Sequence, residues 1–139
     1  FDDKIKALNE AKRVTKPGGK ILVAYCMNEY SILTYGFKQN HIKEVVEAGK
    51  VTKDFHCIPE PKDLYDYVRI EDIDKVRDDL KRIKLISADG QADLMRPVLN
   101  AMDEETFKLF VEYHLATCER QELVGAGAHT VDILEKKNL

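Results

Sequence analysis

The chain has 139 residues, of which 44% are hydrophobic and 34% charged, and its formal net charge is −3 at pH 7. This length fits one folded domain, residues 1–139, and the composition excludes a disordered chain. Without an excess of basic residues, no nucleic-acid partner is expected. The longest apolar run, residues 21–27, is too short to span a bilayer, so no membrane partner is expected either.

The first part of the chain predicts a helix that ends near Thr15, because Pro17 and the two glycines after it cannot extend it. Residues 21–27 are apolar without alternation, which predicts a strand covered on both faces, as in a parallel sheet. The sequence opens directly on the helical pattern with no strand before it, and we therefore expect a cut chain.

Residues 29–62 interrupt the alternation of strands and helices. They contain an aromatic stretch, a short helix over residues 42–48, and a proline-containing loop over residues 53–62. We interpret residues 29–62 as an inserted segment that faces a substrate.

Regular elements are predicted again in the second half of the chain. Two strands are expected at residues 83–88 and 129–134, with helices at 71–80, at 95–101 and after Asp103, which can cap the longest helix. Apolar residues recur along that longest helix with a period of 3.6, which predicts a stripe facing the core: Phe107, Phe110, Val111, His114, Leu115 and Cys118.

Residues 13–19, with the sequence RVTKPGG, resemble the R-x-L-K-P-G-G motif of class I S-adenosylmethionine (SAM)-dependent methyltransferases, with Thr15 in place of leucine. In that family the motif joins a helix to the fifth strand. The family continues with a helix, a strand and a last strand that runs antiparallel between the two others. Residues 118–125, CERQELVG, followed by His129, resemble the end of this domain in a bacterial subgroup.

The resemblance implies an α/β fold, a partial Rossmann-like sheet of about three strands with flanking helices and a helical insertion. It also implies SAM as cofactor. The family binds SAM through a glycine-rich loop after the first strand, and no G-x-G-x-G occurs here. Gly125 and Gly127 precede a strand instead of following one. The cofactor-binding residues are therefore expected outside this chain.

Ligands of open α/β sheets bind beyond the carboxyl ends of the parallel strands. Tyr25, Asn28 and Tyr30 follow this end of the first strand and are candidate substrate-binding residues. The alternative is that Tyr25 is a core residue and Asn28 an ordinary loop residue.

Tyr35 and Phe37 are candidates for an aromatic wall over the substrate, although they can equally pack the inserted segment onto the core. Arg96 follows another strand and can bind a carboxylate or phosphate, or form a surface salt bridge. His129, at the start of the last strand, is expected far from this edge and structural. No catalytic base can be named.

Cys26, Cys57 and Cys118 are an odd number of cysteines without CxxC spacing. This pattern predicts neither a disulfide framework nor a zinc site, and it favours the reducing cytoplasm. The four histidines also lack metal-ligand spacing, so no metal is expected.

Three functions remain open at this stage. The first is the acceptor-side half of a methyltransferase, active on a small-molecule acceptor in the intact protein and inactive alone. The second is a non-catalytic α/β module that forms a homodimer or swapped assembly through the open edge of its sheet. The third is an α/β domain of another nucleotide-using class.

Overall fold

The computed structural model describes residues 2–138 as a four-stranded sheet with helices packed around it. The strands are β1 (Lys20–Met27), β2 (Tyr67–Val68), β3 (Lys81–Ser87) and β4 (His129–Glu135). The helices are α1 (Asp2–Val14), α2 (Asn28–Ser31), α3 (Ile42–Glu47), α4 (Ile70–Val76), α5 (Arg96–Ala101), α6 (Glu104–Thr117) and α7 (Gln121–Val124), with a π-helix at Ile32–Lys38. Phe1 and Leu139 lie outside the described residues. Within them, no helix combines the length and apolarity needed to span a membrane.

The strands follow the order β2-β1-β4-β3, with β4 antiparallel to both of its neighbours and β2 parallel to β1. The expected position and direction of the last strand are therefore confirmed. The sheet has four strands and not about three, because β2 pairs with Cys26 and Met27 at the end of β1. The remainder of that edge, residues 20–25, has no partner strand among the described residues.

The turn between α1 and β1 shows why the Pro-Gly-Gly sequence is needed. Gly18 adopts a φ of +75°, which side chains rarely allow. Its amide donates to the carbonyl of Lys136 at 2.8 Å, and the Lys136 amide donates to the carbonyl of Gly19 at 3.0 Å. The turn is thus fastened to the end of β4 and starts β1 in register with it.

The core lies on one face of the sheet. Because side chains alternate along a strand, Ile21, Tyr25 and Met27 share this face. Helices α1 and α4 cover it with Leu8, Ile73 and Val76, and the core is completed by Val68 of β2, Leu80 and Leu134 of β4. On the other face, Leu22 is 66% exposed and Val131 and Ile133 are only half-buried. The prediction that this strand is covered on both faces is therefore wrong for the chain as described.

A buried ion pair links β3 to β4 on the covered face. Asp132 is fully buried and accepts two hydrogen bonds of 2.8 Å from Arg82, whose guanidinium also bonds to Asp74 at 2.6 Å. These bonds raise the pKa of Arg82 above its ordinary value, although burial opposes them. Because both partners are charged and hydrogen-bonded, loss of either one would leave an uncompensated charge inside the protein.

Two predicted helices differ from those observed. The helix expected at 71–80 ends at Val76, because Asp78 takes a left-handed φ of +53°. Helix α6 begins as expected, with the Asp103 carboxylate accepting from the Thr106 amide at 2.7 Å. Its apolar stripe, however, contains no buried residue, and the prediction that it faces the core is wrong.

Candidate functional site

The carboxyl ends of β1, β2 and β3 lie at the same edge of the sheet, and the start of β4 lies there too. Cys26 pairs with Tyr67 of β2 on one side and with His129 of β4 on the other. Side chains of directly opposed residues project from the same face, so Tyr67, Cys26 and His129 form a row across three strands. Burial and the charge of Asp89 raise the pKa of the Cys26 thiol, which keeps it protonated.

A cleft of about 480 Å³ opens between this row and the segment formed by α2 and the π-helix. Four tyrosines line it, Tyr30, Tyr35, Tyr65 and Tyr67, together with Cys26 and His129. None of the lining residues is Lys, Arg, Asp or Glu. Its volume is in the range of small-molecule sites, and its lining suits an uncharged, flat ligand. We refer to it below as the aromatic cleft.

Tyr30 and Arg96 are brought together by one carboxylate. The hydroxyl of Tyr30 donates to Asp93, and Arg96 donates to the other oxygen of Asp93. Burial and the bond to Asp93 raise the pKa of Tyr30 to about 12, so its hydroxyl stays protonated at neutral pH. Arg96 is 70% exposed, holds a surface ion pair and does not line the aromatic cleft.

Asn28 is fully buried and holds the loop at residues 55–57 against the end of β1. Its side-chain amide donates to the carbonyl of Phe55 at 2.9 Å and to Glu29 at 3.0 Å, and its oxygen accepts from the Cys57 amide at 2.7 Å. These protein partners occupy both the amide and the oxygen. Asn28 thus has a structural role, and the expectation that it also contacts a substrate stays a prediction.

Tyr25 points to the covered face of the sheet and is only 7% exposed. Burial, with a contribution from Asp132, raises its pKa to about 12. It lies against the core cluster that contains Met27, Val68 and Ile73, and not in the aromatic cleft. Its contact with a substrate stays a prediction.

Tyr35 stands at the rim of the cleft. Its ring stacks on His41, with centroids 4.3 Å apart and an angle of 13° between the planes. The side chain is 47% exposed, so the stack leaves much of the ring open to solvent. Phe37 is 56% exposed and does not line the cleft, so only one of the two expected wall residues reaches it. A π-helix carries both residues, a rare element that often marks functional sites.

His129 is held at this edge by Asp89, which follows β3. The ring Nδ1 lies 2.7 Å from one carboxylate oxygen, and the backbone amide of His129 donates to the other at 3.0 Å. The expectation that His129 lies far from the carboxyl ends is wrong. An antiparallel strand starts where its neighbours end, and His129 is opposite Cys26.

Gly127 allows the approach that brings Asp89 to His129. A Cβ at this position would lie 2.6 Å from the carbonyl oxygen of Gly90, closer than any side chain tolerates. The glycines before β4 therefore serve close packing of two chain segments. That the cofactor-binding residues lie outside this chain stays a prediction.

Sequence reasoning did not identify Tyr65 and Tyr67 as cleft residues, and it placed His129 away from the cleft. The direction of the last strand, already inferred from the resemblance, was a sufficient signal for His129. No comparable signal exists for the tyrosines, since β2 is only two residues long.

Comparison with known proteins identifies no family for this chain. No family model matches the chain, and no curated protein matches it.

Proposed function

We propose that this chain is the acceptor-side half of a SAM-dependent methyltransferase of the Rossmann-like class, as the RVTKPGG motif suggests. The observation that carries the proposal is the strand arrangement. The last strand, β4, runs antiparallel between β1 and β3, as the resemblance implies, and β1 follows directly after the motif. In this proposal the aromatic cleft receives a small-molecule acceptor, and the intact protein carries the SAM site elsewhere.

The open face of the sheet also supports a division of the methyltransferase into an acceptor-side half and a SAM-binding half. The proposed family has a mostly parallel α/β sheet, and such sheets are covered by helices on both faces. Here α1 and α4 pack against one face only, whereas Leu22, Val131 and Ile133 remain accessible on the other. In this proposal the SAM-binding half supplies both the glycine-rich loop and the helices for that face.

Isothermal titration calorimetry tests this proposal. We expect the intact protein to bind SAM and the 139-residue chain alone to bind it weakly or not at all. Failure of the intact protein to bind SAM would exclude a methyltransferase. Micromolar binding by this chain alone would instead contradict the division between the two halves.

A second candidate function, a module that self-associates, rests on the free edge of β1. Beside residues 20–25 lies a groove of about 520 Å³, lined largely by apolar residues of α1 and β1. An unpaired strand edge beside an apolar groove is a template for strand addition. Light scattering distinguishes the two candidates, because a self-associating module must be a dimer, whereas the methyltransferase half can be a monomer.

A further inference from the structure

The pairing of His129 with Asp89 leaves one ring nitrogen for a ligand. A carboxylate can only accept a hydrogen bond, so the contact of 2.7 Å requires the proton to be on Nδ1 of His129. In the neutral ring the lone pair is then on Nε2. Among residues 2–138, no protein group is hydrogen-bonded to that nitrogen. The imidazole is 52% exposed and lines the aromatic cleft.

This arrangement is that of a general base with a positioning carboxylate. Asp89 fixes the tautomer and the orientation of the ring through two hydrogen bonds, one to Nδ1 and one to the backbone amide. The nitrogen that can take a proton, Nε2, is thus the one that Asp89 does not hold, on a ring that lines the aromatic cleft.

The other groups around His129 do not compete for this role. Burial raises the pKa of Cys26, and the pKa of Tyr30 is about 12, so both keep their protons at neutral pH. The remaining titratable groups in the cleft are the hydroxyls of Tyr35, Tyr65 and Tyr67. Lys4 and Asp66 line the neighbouring groove beside β1, where they form an ion pair with each other.

We propose that the aromatic cleft binds an uncharged, flat ligand with an acidic hydroxyl, such as a phenol, and that His129 removes the proton of this hydroxyl. The O–H bond breaks, its electron pair stays on the ligand oxygen, and the proton forms a bond to Nε2. The oxygen becomes a better nucleophile, and the imidazolium returns the proton to water afterwards. The role of this ligand as a methyl acceptor rests on the proposed function. The proton transfer to His129 is independent of it.

Para-nitrophenol is a suitable probe, because only its phenolate is yellow and no SAM is needed. We expect saturable binding to this chain, with the ratio of phenolate to phenol raised at least roughly tenfold at neutral pH. A cation beside an acid lowers its pKa by about 1 to 3 units, which sets this magnitude. His129→Gln should abolish the increase and Asp89→Asn should reduce it, with folding checked by circular dichroism. His114→Gln, which changes a histidine outside the cleft, should leave it intact.

Two further measurements separate the proton transfer from simple binding. Tyr35→Ala should weaken binding roughly 2- to 12-fold through lost ring contact, while the phenolate ratio of the bound probe stays raised. The ¹⁵N resonances of His129 should show a protonated Nδ1 in the free protein. The proposal is overturned if the probe does not bind, if His129→Gln keeps the increase, or if Nε2 carries the proton. If the intact protein does not bind SAM, methyl transfer is excluded, but proton transfer from the probe to His129 is unaffected.

Discussion

Asn28 illustrates how one buried side chain holds a loop at the site. It satisfies the carbonyl of Phe55, which sits at a φ of +61°, and the amide of Cys57. A bulky residue at positive φ is strained, so this conformation needs partners that hold it in place. The loop that includes Phe55 and Cys57 is thus fixed by its contacts with the end of β1.

Asn28→Ala is expected to lower the free energy of unfolding by about 2–3 kcal/mol, because the hydrogen bonds to the Phe55 carbonyl and the Cys57 amide are both lost. Asn9→Ala is the control, since Asn9 is exposed on α1 and alanine favours helix, and should change stability by less than about 0.5 kcal/mol. Urea unfolding followed by circular dichroism measures both. Equal effects of the two substitutions would show that the Asn28 contacts contribute nothing specific.

His56 fastens the same loop to the start of α4. Its Nε2 lies 2.6 Å from Asp72 and its Nδ1 lies 2.8 Å from the carbonyl of Cys57. Burial alone would lower the pKa of His56, but these two hydrogen bonds outweigh it and raise the pKa above 6.5. Burial alone would raise the pKa of Asp72, and hydrogen bonds from the Arg69 amide and His56 lower it below 3.8.

The signs of these shifts define a pH window. The stabilisation from His56 is complete below its ordinary pKa of 6.5 and is lost as the pH rises through the raised pKa of the folded state. The stabilisation from Asp72 is present above 3.8 and is lost as the pH falls through its lowered pKa. The pair therefore stabilises the fold most between these two values.

His56→Gln should cost about 1 kcal/mol at mildly acidic pH and less at alkaline pH, since the wild-type protein loses the charged pair there. Urea unfolding of both proteins across the pH range gives this difference. A difference that grows as the pH rises would contradict the assigned protonation states.

At the scale of elements, α6 contributes less to the fold than its apolar period suggests. Leu115 on this helix is 67% exposed, whereas Leu134 on β4 is fully buried. The loss of stability on substitution by alanine should therefore differ between these two positions. Leu134→Ala should cost about 2–5 kcal/mol and Leu115→Ala less than about 0.5 kcal/mol. Thermal unfolding monitored by circular dichroism measures both, and a large loss for Leu115→Ala would place α6 in the core.

The elements that sequence predicted best are those with local chemical signals. Pro17 and Gly18 end α1 through their own backbone preferences, and Asp103 caps α6 through its own carboxylate. The period of α6 revealed an apolar face, but period alone says nothing about what covers it. The expected site was identified only in part, because the contacts of Asn28 and the two-residue β2 depend on residues distant in sequence.

At the scale of the molecule, the accessible face and free edge of the sheet predict self-association of this chain. Leu22 on β1 is 66% exposed and Leu115 on α6 is 67% exposed. Because their exposure is nearly equal, Leu115 is a suitable control for substitutions of Leu22. If copies associate through the sheet, Leu22→Lys should convert a dimer to a monomer and Leu115→Lys should not. Multi-angle light scattering gives the mass of each variant. The reverse outcome would place the interface on α6, and a monomeric wild-type chain would exclude the association.

The two edges of β1 differ along most of its length. One edge pairs with β4 from Lys20 to Cys26, and the other is free until β2 begins. Successive backbone amides of a strand point alternately to its two edges. In deuterium oxide, every second amide of residues 20–25 should exchange quickly and its neighbours slowly, while the amides of β4, flanked on both sides, exchange last. A single strand would thus carry two rates of exchange, and binding of a partner strand would merge them into one.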